Sequence, residues 1–155
     1  MVQFDDLLIP EAVQVGIAMP TKKHLFQRIS DLAAQCYGLN GAEVYERLTE
    51  RERLGSTGFG NGIAIPHAKL ESVDKVRGLV FKLAQPLAFE AIDEQPVDVI
   101  FALLSPADSG AEHLKTLARV SRFLRSDSQI HRVRGVGSAA ALYALLAGAE
   151  ARDAA

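Results

Sequence analysis

Val97-Asp-Val-Ile-Phe-Ala-Leu-Leu104 is apolar at every position but Asp98. A run of that length with no polar alternation has no face to offer water, so it predicts a central strand covered on both sides, ended by Ser105-Pro106. Working toward the C-terminus, Ala111 to Arg125 reads as a helix with Leu114, Leu117, Ala118, Ser121 and Leu124 at helical spacing and His113 in its first turn. A short helical turn near Gln129 to Arg134 precedes a last helix, capped by Ser138 and packed through Leu142, Leu145 and Leu146. The Ala-rich residues after Gly148 are expected to fray.

Working back toward the N-terminus, Val76 to Leu83 is another strand, and Ile63 to Ile65 a short one that Pro66 ends, presenting His67 where the strand leaves the sheet. Gly55-Ser-Thr-Gly58-Phe-Gly60-Asn-Gly62 holds four of the twelve glycines and reads as a loop without regular structure. Ala42 to Arg53 is a helix with Val44, Tyr45 and Leu48 inward and Glu46, Arg47, Glu50 and Arg51 outward. Thr21 caps an earlier helix over Lys22 to Tyr37, whose apolar face is Leu25, Ile29, Leu32 and Cys36 and whose end Gly38 suits by its left-handed conformation. Before it, Val13, Val15, Ile17 and Met19 alternate in a strand from Ala12 to Met19, stopped by Pro20. Strands interleaved with helices give an α/β class, a three-layer α/β/α sandwich around a mixed sheet. With no repeat, linker or low-complexity tract, residues 1–155 are expected to form one domain.

Bulk properties exclude several functions. A chain of 155 residues buries roughly 70% of its unfolded surface as one core and needs no metal or disulfide to fold. Its net charge of -2, with no basic stripe beyond His131-Arg-Val-Arg134, argues against nucleic acid. The lone Cys36 cannot form an internal disulfide and fits a reducing compartment as a packed thiol. The acidic start, Met1-Val-Gln-Phe-Asp-Asp6, lacks the charge and apolar stretch of an export signal. Ala139 to Ala149 falls short of the ~18 apolar residues of a membrane span. A soluble, cytoplasmic protein without stable membrane insertion is expected.

Of four histidines, only His67 stands beside the glycine-rich run at a strand end, where α/β sheets place ligands. A neutral imidazole is itself a nucleophile, and an ordinary pKa of ~6.5 leaves it mostly neutral at cytoplasmic pH. Phosphoryl transfer needs in-line positioning and compensation of negative charge, which glycine-loop amides and the guanidinium fork of Arg51 could supply. Arg51 equally suits a helix end, opposing the dipole or pairing with Glu50 or Glu52. His113, after Asp108-Ser-Gly-Ala-Glu112, could face the same phosphate or be an ordinary helix residue. His24 and His131 read as surface positions. The glycine run lacks the Gly-Lys-Ser/Thr of a P-loop and the spacing of a dinucleotide fingerprint, and no tight His/Asp/Glu spacing supports a metal on His67 and His113.

The segment Leu48-Thr-Glu-Arg51-Glu-Arg-Leu-Gly55-Ser-Thr-Gly-Phe-Gly60-Asn-Gly-Ile-Ala-Ile-Pro66-His67, with Ile92-Asp-Glu-Gln-Pro96-Val-Asp-Val-Ile-Phe-Ala-Leu-Leu-Ser-Pro106-Ala-Asp108, resembles enzyme IIA of the phosphoenolpyruvate-dependent phosphotransferase system, mannitol/fructose type. The match is nearest to the family's nitrogen-regulatory branch and covers about Asp5 to Gly148. The resemblance implies a mixed five-stranded sheet flanked by helices. It also implies phosphoryl acceptance on His67, through Nε2, with Arg51 and His113 as further active-site residues. Ser56 and Thr57 would line the loop together with Gly60, Asn61 and Gly62. Ala68 departs from the Gly or Ser of many relatives. The implied donor is an HPr-like phosphocarrier fed by enzyme I, with no metal or cofactor required. No IIB region or membrane segment is seen, which favours a switch read by regulatory target proteins. A sugar-transport IIA serving a separate IIB protein and a binding module that is never phosphorylated remain as alternatives.

Overall fold

A computed structural model describes residues 4–148. Strands β1 (Val13–Ile17), β2 (Gly58–Gly60), β3 (Ile63–Ala64), β4 (His67–Leu70), β5 (Arg77–Leu87) and β6 (Val97–Pro106) form one mixed sheet, flanked by α1 (Lys22–Tyr37), α2 (Gly41–Arg53), α3 (Gly110–Arg125), α4 (Asp127–Gly135) and α5 (Ala139–Ala147). The order is β1-β5-β6-β3-β2, with β4 also on β6. Antiparallel β5 and parallel β3 and β4 flank β6, which makes it the central strand its composition predicts.

Its apolar run serves two cores at once. Ile100, Ala102 and Leu104 pack with Leu25, Ile29, Val44 and Leu48 of α1 and α2. Val99, Phe101 and Leu103 face Val120, Phe123, Val133 and Leu142 of α3, α4 and α5. The period of two along a strand thus sends alternate residues into opposite helical layers, and the three-layer α/β/α sandwich follows.

Helix ends behave as their capping residues dictate. Thr21 accepts the His24 N–H at 3.1 Å, and Gly38, at φ 67°, closes α1 in the left-handed region that a side chain disfavours. Asn40 caps α2 and Ser138 caps α5 in the same way. Cys36 is half-buried against the first core, and burial followed by Glu11 pushes its thiol pKa up, so the packed-thiol reading holds. The terminal residues expected to fray lie outside the described ones.

Four expectations need correction. The sheet has six strands, not five. Pro66, which has no N–H, splits one lane in two: Ile63 stands opposite Val99, Ala64 opposite Ile100 and His67 opposite Leu103, in unchanged register. Pro66 therefore interrupts the strand without ending it, and its carbonyl still accepts the Leu103 N–H at 2.9 Å. The glycine run is not all loop, since Gly58–Gly60 pairs with β3 in a short hairpin. The turn near Gln129 is a nine-residue helix whose N-cap, Ser126, accepts the Gln129 N–H.

The fourth correction concerns the inward face of α3. His113, Thr116, Val120, Phe123 and Leu124 are buried, whereas Leu114 is 65% exposed and Ala118 lies on the surface. Phe123 packs edge-on to Phe4, with ring centroids 5.4 Å apart. Removing the Phe123 ring should therefore cost about 3–5 kcal/mol in urea unfolding, while Leu114→Ala should stay within about 0.5 kcal/mol. Equal losses would return α3 to the face first expected.

Candidate functional site

His67 opens β4, half-buried, one residue after the break at Pro66. Its Nδ1 lies 2.7 Å from the Ile65 carbonyl oxygen. A carbonyl only accepts, so Nδ1 carries the ring proton and Nε2 carries the lone pair. Arg51 Nε donates to that Nε2 at 3.3 Å, while its Nη1 donates to the Gly55 carbonyl at 2.9 Å. The ion pairs open to Arg51 on spacing grounds are made by others: Arg47 holds Glu50 at 2.7 Å and Lys22 holds Glu52 at 2.9 Å. Arg51 is thereby left to aim at the histidine.

His113, in the first turn of α3, is 6% exposed, with its ring centroid 5.4 Å from that of His67. Its Nδ1 lies 2.6 Å from Ser105 Oγ. Burial, then the neighbouring His67 and Lys69, push its pKa down to about 4. Burial also lowers the His67 pKa; Arg51 adds to this, against the Ile65 carbonyl and the Glu52 carboxylate, which raise it. Both rings are consequently neutral near pH 7. They line a cleft of about 690 Å³ together with Arg47, Arg51, Arg53 and Lys69, and with a single carboxylate, Glu50, that Arg47 pairs. Neutral nucleophile and surrounding cations together suit an incoming anion, since a unit charge pair at ~4 Å is worth ~4 kcal/mol at an effective dielectric of 20, before desolvation.

The glycine run divides its residues between two places. Glu52, its side chain 8% exposed, accepts from Thr57 N–H at 3.1 Å and from Thr57 Oγ1 at 2.5 Å while paired with Lys22. Ser56 Oγ accepts the Gly58 N–H at 3.1 Å. These bonds fix the turn that follows Arg51. Gly60, Asn61 and Gly62 lie instead at the hairpin turn and do not line the His67 cleft. There Asp93 accepts the Asn61 N–H at 3.1 Å, and Arg134 donates to the Asn61 carbonyl and twice to Asp98. Gly62, at φ 77°, has Arg134 Nη2 only 2.6 Å from where a Cβ would stand.

His24 and His131 are exposed, as expected. Among the described residues, no group of three or more His, Cys, Asp or Glu side chains is placed to hold a metal ion. No helix among them is long and apolar enough to cross a membrane. Sequence reading passed over Lys69 and Ser105 and weighed Glu52 only as a partner for Arg51. Lys69 follows His67 by two residues and could have been found on the strand period, but the contacts of Ser105 exist only in the folded chain.

The family model described as phosphoenolpyruvate-dependent sugar phosphotransferase system, EIIA 2, matches residues 6–149. A nitrogen regulatory protein of Bradyrhizobium diazoefficiens is 43% identical over 142 residues, which are 92% of this chain and 93% of that protein. Among solved structures, nitrogen regulatory protein IIA-Ntr from Neisseria meningitidis matches with a TM-score of 0.85 at 33% identity, covering 91% of this chain and 97% of that one. Mannitol IIA from Escherichia coli matches in fold, with a TM-score of 0.75 at 20% identity over 90% of this chain and 99% of its own. The resemblance read from the motifs agrees with these findings.

The suppressed basicity of His113 has a measurable consequence for stability. Its folded pKa of about 4 lies below the ~6.5 of the unfolded chain, so between these values the unfolded state takes up the proton that the folded state refuses. Stability should fall as pH drops through this window, by at most about 3 kcal/mol from this ring. Urea unfolding at pH 7 and pH 4.5 should show a smaller difference for His113→Gln than for the unaltered protein; an equal difference would place the ring in a more polar environment.

Proposed function

We propose, from the premise that the chain belongs to the EIIA 2 family of the phosphoenolpyruvate-dependent sugar phosphotransferase system, that it is a histidine phosphocarrier of the nitrogen-regulatory type. The observation that carries this reading is the state of His67: its Nδ1 proton is engaged by the Ile65 carbonyl and its Nε2 lone pair faces Arg51. Nε2 attacks the phosphorus of a phosphohistidine on an HPr-like protein, itself charged by enzyme I. The phosphorus–nitrogen bond to the donor breaks as the bond to Nε2 forms. The donor imidazole regains its electron pair and takes a proton from solvent, while His67 retains its own on the Ile65 carbonyl. Arg51 turns from Nε2 to the phosphoryl oxygens, and His113 stands as a neutral hydrogen-bond donor beside them. This transfer asks for positioning and charge compensation and little else.

A protein-sized donor fits the shape of the site. The cleft is open, with Leu54 in its wall at 85% exposure. An exposed leucine beside a polar centre offers an apolar contact for a docking protein. Once formed, phosphohistidine adds about -1.5 to -2 charges to a face dominated by arginines and lysine, and regulatory target proteins in the cytoplasm would distinguish the two forms by that change.

Incubation with phosphoenolpyruvate, enzyme I and an HPr-type carrier should add one acid-labile phosphoryl group by intact mass, lost in His67→Ala and kept in His113→Ala. Arg51→Ala should slow its formation by about 10²-fold, the effect of losing one oriented charge-stabilising donor. Absence of the adduct with every carrier would leave a binding module. Efficient onward transfer to sugar-specific IIB domains would make the chain a transport component instead.

A further inference from the structure

Ser105 lies at the end of β6, where the described hydrogen bonds give its side chain one partner, Nδ1 of His113 at 2.6 Å. It is 0% exposed, so no solvent reaches it. His113 is also buried and neutral near pH 7, so its ring has a single proton to place. Two arrangements are open. If Nδ1–H donates to Ser105, the buried serine hydroxyl proton has no acceptor among the described hydrogen bonds. If the hydroxyl donates to Nδ1, the buried serine proton is used and the ring proton sits on Nε2, on a ring that lines the cleft. Leaving a buried donor unmade is the costlier state, by roughly 10-fold or more in population.

We propose that Ser105 is a positioning residue: by donating its hydroxyl proton to Nδ1, it holds His113 in the tautomer whose Nε2–H is free to serve the cleft beside His67. Nε2 is the nitrogen on the far side of the ring from Ser105, on a ring whose centroid is 5.4 Å from that of His67. The serine therefore turns a residue that could equally accept into one that donates. A donor is what a phosphoryl oxygen needs, whereas a lone pair facing it would repel. The strand supplies the rigidity this requires, because Ser105 pairs in the ladder opposite Lys69 and cannot shift without moving β4. This functional consequence rests on the carrier reading of His67; the tautomer assignment does not.

Long-range proton–nitrogen correlation spectra of the histidine rings at pH 7 test the assignment directly on the full chain, before any phosphorylation. The expected result is His113 protonated on Nε2 in the unaltered protein and in Ser105→Thr, and a mixture of tautomers in Ser105→Ala. Phosphorylation by an HPr-type carrier should then slow by about 10-fold in Ser105→Ala and recover in Ser105→Thr. A purely structural serine would lower the unfolding midpoint in Ser105→Ala while leaving the tautomer unchanged. His113 found with its proton on Nδ1 in the unaltered protein would overturn the proposal, as would an unchanged tautomer and rate in Ser105→Ala. Should no carrier phosphorylate the unaltered protein, the carrier reading fails, and the ring spectra still decide whether Ser105 sets the tautomer.

Discussion

The hydrogen bond from the Leu103 N–H to the Pro66 carbonyl is the contact on which the site depends. Proline cannot donate into the ladder, yet as an acceptor it keeps the lane from Ile63 to Leu70 in register with β6 across the break. His67 consequently emerges at a defined position opposite Leu103. Two residues further along β6, Ser105 reaches His113. The two rings come from different parts of the chain, and a single strand sets the position of one and holds the other. That strand is packed on both faces by helices.

Around this frame, burial and the neighbouring cations act in the same direction, against the Ile65 carbonyl and Glu52. Burial lowers the basicity of both imidazoles, and Arg51 and Lys69 reinforce it. A protonated His67 would have no lone pair for attack, so the cations that suit an incoming anion also keep the nucleophile unprotonated. Glu52 restrains the effect. It raises the affinity of His67 for protons while its hydrogen bonds to Thr57 hold the turn after Arg51. One carboxylate thus tempers the charge of the site and shapes its backbone.

Much of this was legible before folding. Thr21 and Gly38 bracket α1 because a hydroxyl cap and a left-handed glycine act locally, whatever the tertiary context. Val97 to Leu104 reads as a doubly covered strand because no polar face exists to contradict it. The phase of α3 is hard to read because two stripes overlap on that helix and share Leu124: Leu114, Leu117 and Leu124 form one, while Thr116, Val120, Phe123 and Leu124 form the other. The true inward stripe carries His113 and Thr116, polar residues that hydropathy places outside. The strand count failed for a similar reason, since Pro66 looks like a terminus until its carbonyl is seen in the ladder. At the site, Pro66-His67 could be picked out because it sits in a dense local motif. Ser105 could not, because eight residues separate it from the ring it touches and a serine before proline reads as a strand end.

The hairpin turn and the histidine cleft are held by separate sets of side chains. Arg134, Asp98 and Asp93 clamp Asn61 and Gly62, whereas Glu52, Ser105 and the Ile65 carbonyl secure the other end. The one side chain that the proposed chemistry turns, Arg51, belongs to neither set and stands beside the modified ring. Under the proposed chemistry, a molecule that reads the modification must then touch the modified ring itself, on the same patch that the donor has to occupy. Loading and reading become mutually exclusive events, and the order in which partners arrive is set by competition for one small area.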